Sequence, residues 1–164
     1  MTQILPGSAA PDFSLKGLDG KVYTLSSLTE RGPVVLVFFK ISCPVCQFTL
    51  PFLERLYQTY GGDGVSFLAV GQDDAKSTSQ FLTRYGITFP TLLDEDHYPV
   101  SNAYGLTNVP TLLLVEGGNR ARLVGMGFDK KDLENIGKLL AEHKRVVATP
   151  VFRANESVPA HKPG

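Results

Sequence analysis

Six uninterrupted apolar residues, Val34-Val35-Leu36-Val37-Phe38-Phe39, run almost directly into Cys43-Pro44-Val45-Cys46, and that pair uses both cysteines of the chain. The apolar run is of buried-strand type. After the cysteines, Val45, Phe48, Phe52, Leu53 and Leu56 recur at helical spacing as far as Tyr60, with Pro51 inside the pattern as an expected kink. A strand that passes into a helix at this point sets Cys43 at the helix N-terminus. Unpaired backbone N–H groups and the helix dipole favour an anion there, so a thiol can ionise near neutral pH and act as a nucleophile. Cys46, one turn further in, is placed to form an internal disulfide with it. Two thiols so arranged read as redox chemistry.

The 164 residues suffice for one domain with a hydrophobic core. Sixteen basic and sixteen acidic residues give a formal net charge of zero, so nothing in the balance draws nucleic acid or an anionic membrane. No apolar stretch approaches the roughly 20 residues of a membrane span. The opening Met1-Thr2-Gln3-Ile4-Leu5-Pro6-Gly7 has neither the basic segment nor the apolar core of a signal peptide. As it stands the sequence points to the cytoplasm, and to a periplasmic or other extracytoplasmic space if a signal or anchor has been removed.

Along the chain, Phe13-Ser14-Leu15 and Val22-Tyr23-Thr24-Leu25 flank Asp19-Gly20 as a β-hairpin. Ser26 is the expected cap of a short helical turn ending at Arg31, before Gly32-Pro33. Val65 to Val70 is a second strand, parallel to the first. A helix from Ser77 to Tyr85 and a strand at Thr91-Leu92-Leu93 form an inserted unit, followed by a short helix at Pro99 to Tyr104. Val109-Pro110-Thr111 opens a strand that turns at Gly117-Gly118-Asn119 into Arg120 to Gly125. Gly125-Met126-Gly127 reads as a turn, with a close approach of backbone to the thiols as the other option. A last helix spans Lys130 to His143. The expected domain is therefore 1–145, and 146–164, with three prolines and little apolar content, is expected to be a mobile tail. The acidic clusters Asp73-Asp74 and Asp94-Glu95-Asp96 read as solvated loops.

The Cys-Pro-Val-Cys turn, Pro51 in the following helix, Val109-Pro110-Thr111 before a late hairpin and the opening Ala10-Pro11-Asp12-Phe13-Ser14-Leu15 together resemble a thioredoxin-fold protein. The group is that of TlpA/ResA-like thiol–disulfide oxidoreductases and AhpC/TSA, peroxiredoxin-like proteins. The resemblance covers about residues 8 to 145. It implies an α/β fold with a central mixed sheet flanked by helices, an N-terminal hairpin and a central strand–helix insertion. It also implies a role in cell redox homeostasis or antioxidant activity, with no dissociable cofactor. Cys43 would then be the attacking thiol and Cys46 the resolving one. Pro110 would be cis and face them, while the Val109 backbone pairs with an extended substrate, and Ser42 and Pro44 border the groove. The partners implied are a protein disulfide and an upstream dithiol donor.

The sequence departs from that pattern at Ser42, where many relatives carry Trp, at Thr49, where an acidic residue is common, and at Val37, where true thioredoxins have a buried acid. Lys40, Glu54 or water remain as the base that takes the Cys46 proton. Two other functions fit part of the pattern. A peroxiredoxin-like thiol peroxidase would need Arg120 or Arg122 at the thiolate. A copper-binding or copper-delivery module would need His97 at the thiols; a structural zinc site, with four ligands, does not fit two cysteines.

Overall fold

The computed structural model describes residues 3–164, so Met1 and Thr2 of the opening stretch lie outside the described residues. Strand β1 (Ser14–Lys16) pairs antiparallel with β2 (Val22–Thr24), which gives the expected hairpin, and helix α1 (Leu25–Thr29) follows. Ser26 is not its cap: its N–H and hydroxyl both donate to the Asp12 carboxylate, at 2.8 Å each. The start of the helix is thus held by a residue from before the hairpin.

The apolar run forms β3 (Val34–Phe39), which lies at the centre of a five-stranded sheet. It pairs in parallel with β4 (Ser66–Gly71) and antiparallel with β6 (Thr111–Glu116). Beside β4 lies β5 (Thr91–Leu93), parallel, and beside β6 lies β7 (Arg120–Met126), antiparallel, so the order is β5-β4-β3-β6-β7. Alternate side chains of β3 enter different cores, which is why the run has no polar residue. Val35, Val37 and Phe39 pack with Leu53 and Leu56 of α2 (Pro44–Tyr60) and Ile136 and Leu140 of α5 (Lys130–Lys144). Val34, Leu36 and Phe38 pack on the other face with Phe13, Leu25, Val100 and Tyr104.

Helix α3 (Ala75–Tyr85) sends Phe81 into the first core, and the short α4 (Pro99–Ala103) sends Val100 into the second. The acidic clusters are not merely solvated. Asp74 accepts the Ser77 N–H at 2.8 Å and caps α3. Asp94, 1% exposed, accepts the N–H groups of Val100 and Ser101 at the start of α4.

Residues 146–164, expected as a mobile tail, lie against the domain. Val151 is buried, and the Phe152 ring packs 5.0 Å from that of Phe52. Arg55 of α2 donates to both carboxylate oxygens of Glu156, at 2.7 and 2.6 Å, and to the Val151 carbonyl at 3.1 Å. Strand β8 (Phe128–Asp129) then pairs antiparallel with β9 (His161–Lys162). Composition averages over such a segment, whereas docking uses a few of its residues. Val151, Phe152 and Val158 all join the core between α2 and α5.

Candidate active site

Between β3 and α2, residues 40–42 turn the chain, and the peptide groups of Ile41 are held from both sides. Its N–H donates to Asp73 Oδ2 at 2.9 Å, and its carbonyl accepts from Gln47 Nε2 at 2.9 Å. Asp73 comes from the loop after β4 and Gln47 from the first turn of α2. The Cys43 N–H closes the turn onto the Lys40 carbonyl at 3.2 Å. In the sequence Asp73 reads only as part of a solvated acidic loop and Gln47 is unmarked, because neither side chain carries a local sign of its distant partner.

Cys43 is the N-cap of α2, with φ −84° and ψ 113°, and its sulfur accepts the Cys46 N–H at 3.1 Å. One of the free donors of the helix N-terminus is therefore directed at this sulfur. Pro44 occupies the first helical position, where a missing N–H costs nothing. Both cysteines are free; Cys43 is half-buried and Cys46 is wholly buried. Burial pushes the Cys46 thiol well above the ordinary thiol range, the Cys43 sulfur beside it adds to the rise, and the Lys40 backbone N–H partly opposes it.

The Val109–Pro110 peptide bond is cis, as the resemblance implied. Register brings it to the thiols: Thr111 pairs with Phe38, next to the end of β3. The Cys43 sulfur lies 3.5 Å from the Val109 carbonyl oxygen. On its far side Pro110 accepts the Gly127 N–H at 2.8 Å, so the glycine-flanked turn does bring backbone close to the site. Ser42 and Pro44 are exposed on the rim. Beside Ser42 a hollow of about 390 Å³ is lined by Gln47, Gln80, Phe81, Arg84 and Tyr85. A side chain larger than serine at position 42 would stand over it.

Other sequence candidates fall elsewhere. Glu54 accepts the N–H and hydroxyl of Thr88, joining α2 to the segment before β5. Thr49 is buried and donates back to the Val45 carbonyl at 2.7 Å. Arg120 pairs with Glu116 while Met126 pairs with Thr111, so the arginines begin at the opposite end of β6, about 17 Å from the cis-proline end. Arg122 meets Glu116 at 3.4 Å there, and neither arginine is at the thiols. Among the described residues no three His, Cys, Asp or Glu side chains form a group able to hold a metal ion, so His97 has no ligand cluster around it.

The AhpC/TSA family model matches residues 6–124, which include the thiols, the cis-proline and the whole sheet except the last two residues of β7. The chain belongs to the AhpC/TSA family. Within that family it is 33% identical, over 135 residues, to the thiol-disulfide oxidoreductase ResA of Geobacillus thermodenitrificans, an alignment covering 81% of this chain and 76% of that one. Among solved structures, a candidate thiol:disulfide interchange protein DsbE from Chlorobium tepidum superposes with a TM-score of 0.74 at 26% identity, covering 85% of this chain and 98% of that one. The thioredoxin domain of a thiol-disulfide oxidoreductase from Bacteroides vulgatus gives 0.74 at 19% identity, covering 84% and 99%, and shows the shared fold. This AhpC/TSA member is a thioredoxin-fold thiol–disulfide oxidoreductase. Among its described residues no helix is long and apolar enough to cross a membrane.

Proposed function

We propose that the chain reduces or forms disulfides in other proteins through Cys43 as the attacking thiol and Cys46 as the resolving thiol. One observation carries the assignment of roles: Cys43 is half-buried, with its sulfur beside the Val109 carbonyl, while Cys46 is wholly buried. An external disulfide can meet only the first.

In the reducing direction the Cys43 thiolate attacks one sulfur of the substrate, forming a mixed disulfide and releasing the other sulfur as a thiolate that takes up a proton. Cys46 loses its proton and attacks Cys43, forming the internal disulfide and releasing the second substrate thiol. Two electrons pass to the substrate, and a dithiol protein returns them to the pair. The same steps reversed oxidise a substrate dithiol. Val109 and Pro110 support binding because a carbonyl beside the sulfur, next to a residue without N–H, suits the backbone of an extended chain. Ser42 and Pro44 supply the open rim. The reaction serves either compartment that the sequence leaves open, cytoplasmic or extracytoplasmic.

The test is reduction of insulin disulfides with dithiothreitol as donor, beside a hydrogen peroxide assay. Acceleration by the wild-type protein and none by Cys43→Ala is the expected result. Rapid peroxide consumption without insulin reduction would overturn the reading in favour of a thiol peroxidase.

A further inference from the structure

We propose that residues 160–164 are an internal occupant of the polypeptide groove beside Cys43, and that a substrate chain reaches the sulfur by exchanging with them. This rests on the reading that the groove binds extended protein segments. Residues 125–164 lie outside the span matched by the family model.

Residues 160–164 run from a ladder on β8 to the cis-proline loop. The Lys130 N–H donates to the Ala160 carbonyl at 2.9 Å, and His161 and Lys162 pair antiparallel with Asp129 and Phe128. Beyond them the backbone closes on the cis-proline loop. A Cβ added to Gly164 would collide with the Val109 carbonyl oxygen, the same atom that faces the Cys43 sulfur. A Cβ on Gly127, which has φ +70°, would collide with the Lys162 carbonyl. Strand pairing and close backbone approach are thus both directed at the loop that borders the thiol.

The occupant is lightly held at its end and firmly held at its root. Upstream, Val151, Phe152 and the Arg55–Glu156 pair fix the segment to α2. From Pro159 onward every residue except Lys162 is exposed, and the ladder is two residues long. Residues 160–164 can therefore lift without unfolding what precedes them. The Lys162 ammonium lies 4.8 Å from the centre of the Phe48 ring, so the groove also has a place for a cation. An incoming chain that suits the same contacts is extended, carries a basic side chain over Phe48 and has a small residue at Val109.

The test uses the full chain with Cys46→Ser, which leaves Cys43 joined to whatever it attacks. One sample is joined through Cys43 to an extended Lys-containing peptide with a pyridyl-activated cysteine, the other to 2-thiopyridine alone, and hydrogen exchange is followed across residues 160–164 of the protein. Exchange should be about tenfold faster in the peptide adduct and unchanged in the small one. In parallel, Gly164→Val and Lys162→Glu should each raise the rate of attack on the activated peptide relative to 2,2′-dithiodipyridine. Equal protection of residues 160–164 in both adducts, or an unchanged rate ratio in both variants, would overturn the proposal. These readouts need only the Cys43 thiol, so they stand even if insulin reduction fails.

Discussion

Asp73 accepts the Ile41 N–H at 2.9 Å, so a carboxylate after β4 fixes the turn that carries Cys43. The bond runs between segments 32 residues apart and reaches a half-buried carboxylate. Removing one partner of a charged hydrogen bond at such a site costs about 1–3 kcal/mol. Asp73→Ala should lose about that much in urea unfolding and slow alkylation of Cys43 by iodoacetamide, while Asp73→Asn, which keeps an acceptor, should lose less. Wild-type alkylation in Asp73→Ala would mean that the turn holds without the clamp.

The buried Cys46 gives the reduced protein a pH dependence of known sign. Its pKa is raised in the folded state, chiefly by burial, so above the ordinary thiol value of about 8.5 the unfolded chain binds fewer protons than the folded one. Stability contributed by this group is complete below that value and is lost as pH rises above it. Thermal melts of the reduced protein should fall between pH 8 and 10, and Cys46→Ala should flatten that fall. For the same reason, release of substrate from the mixed disulfide should quicken with pH across this range, as measured by rapid mixing.

Glu156 titrates with the opposite sign. The hydrogen bonds from Arg55 hold its carboxyl down at about 2, with the Arg153 N–H assisting. Its contribution is present above the unfolded carboxylate value of about 4.3 and is lost as pH falls through about 2. Glu156→Gln should lower the melting temperature at neutral pH and reduce the loss on acidification. Its other expected effect is faster hydrogen exchange through residues 151–156.

Phe128 joins the redox helix to the C-terminal segment. Its fully buried ring lies 4.9 Å from Phe48, 6.0 Å from Phe52 and 6.1 Å from Phe152. Phe128→Ala should cost about 3–5 kcal/mol in chemical unfolding, since a ring-sized cavity opens between two elements that cannot both close on it.

Much of this arrangement was legible because it is local. The run from Val34 to Phe39 could be read as a buried strand without knowing its neighbours, and the spacing from Val45 to Leu56 as a helix face, so the place of Cys43 followed. Pro110 was legible through its motif. What escaped was pairing across the chain. Nothing in the loop at Asp73 names Ile41, and nothing near Glu156, 101 residues from Arg55, distinguishes it from a solvated charge. The contacts of residues 146–164 with α2 also escaped, because the few apolar residues there are diluted by prolines and polar groups. Arg120 and Arg122 were candidate ligands of a thiolate until strand register carried them to the far end of β6.

The assignment of Cys43 and Cys46 is tested most directly by mixing the reduced Cys46→Ser and Cys43→Ser variants with insulin under non-reducing conditions and mapping the products by mass spectrometry. Cys46→Ser should accumulate a mixed disulfide through Cys43, and Cys43→Ser should form none on the same time scale. A stable adduct through Cys46 in Cys43→Ser, with Cys43 left as a free thiol in Cys46→Ser, would contradict it.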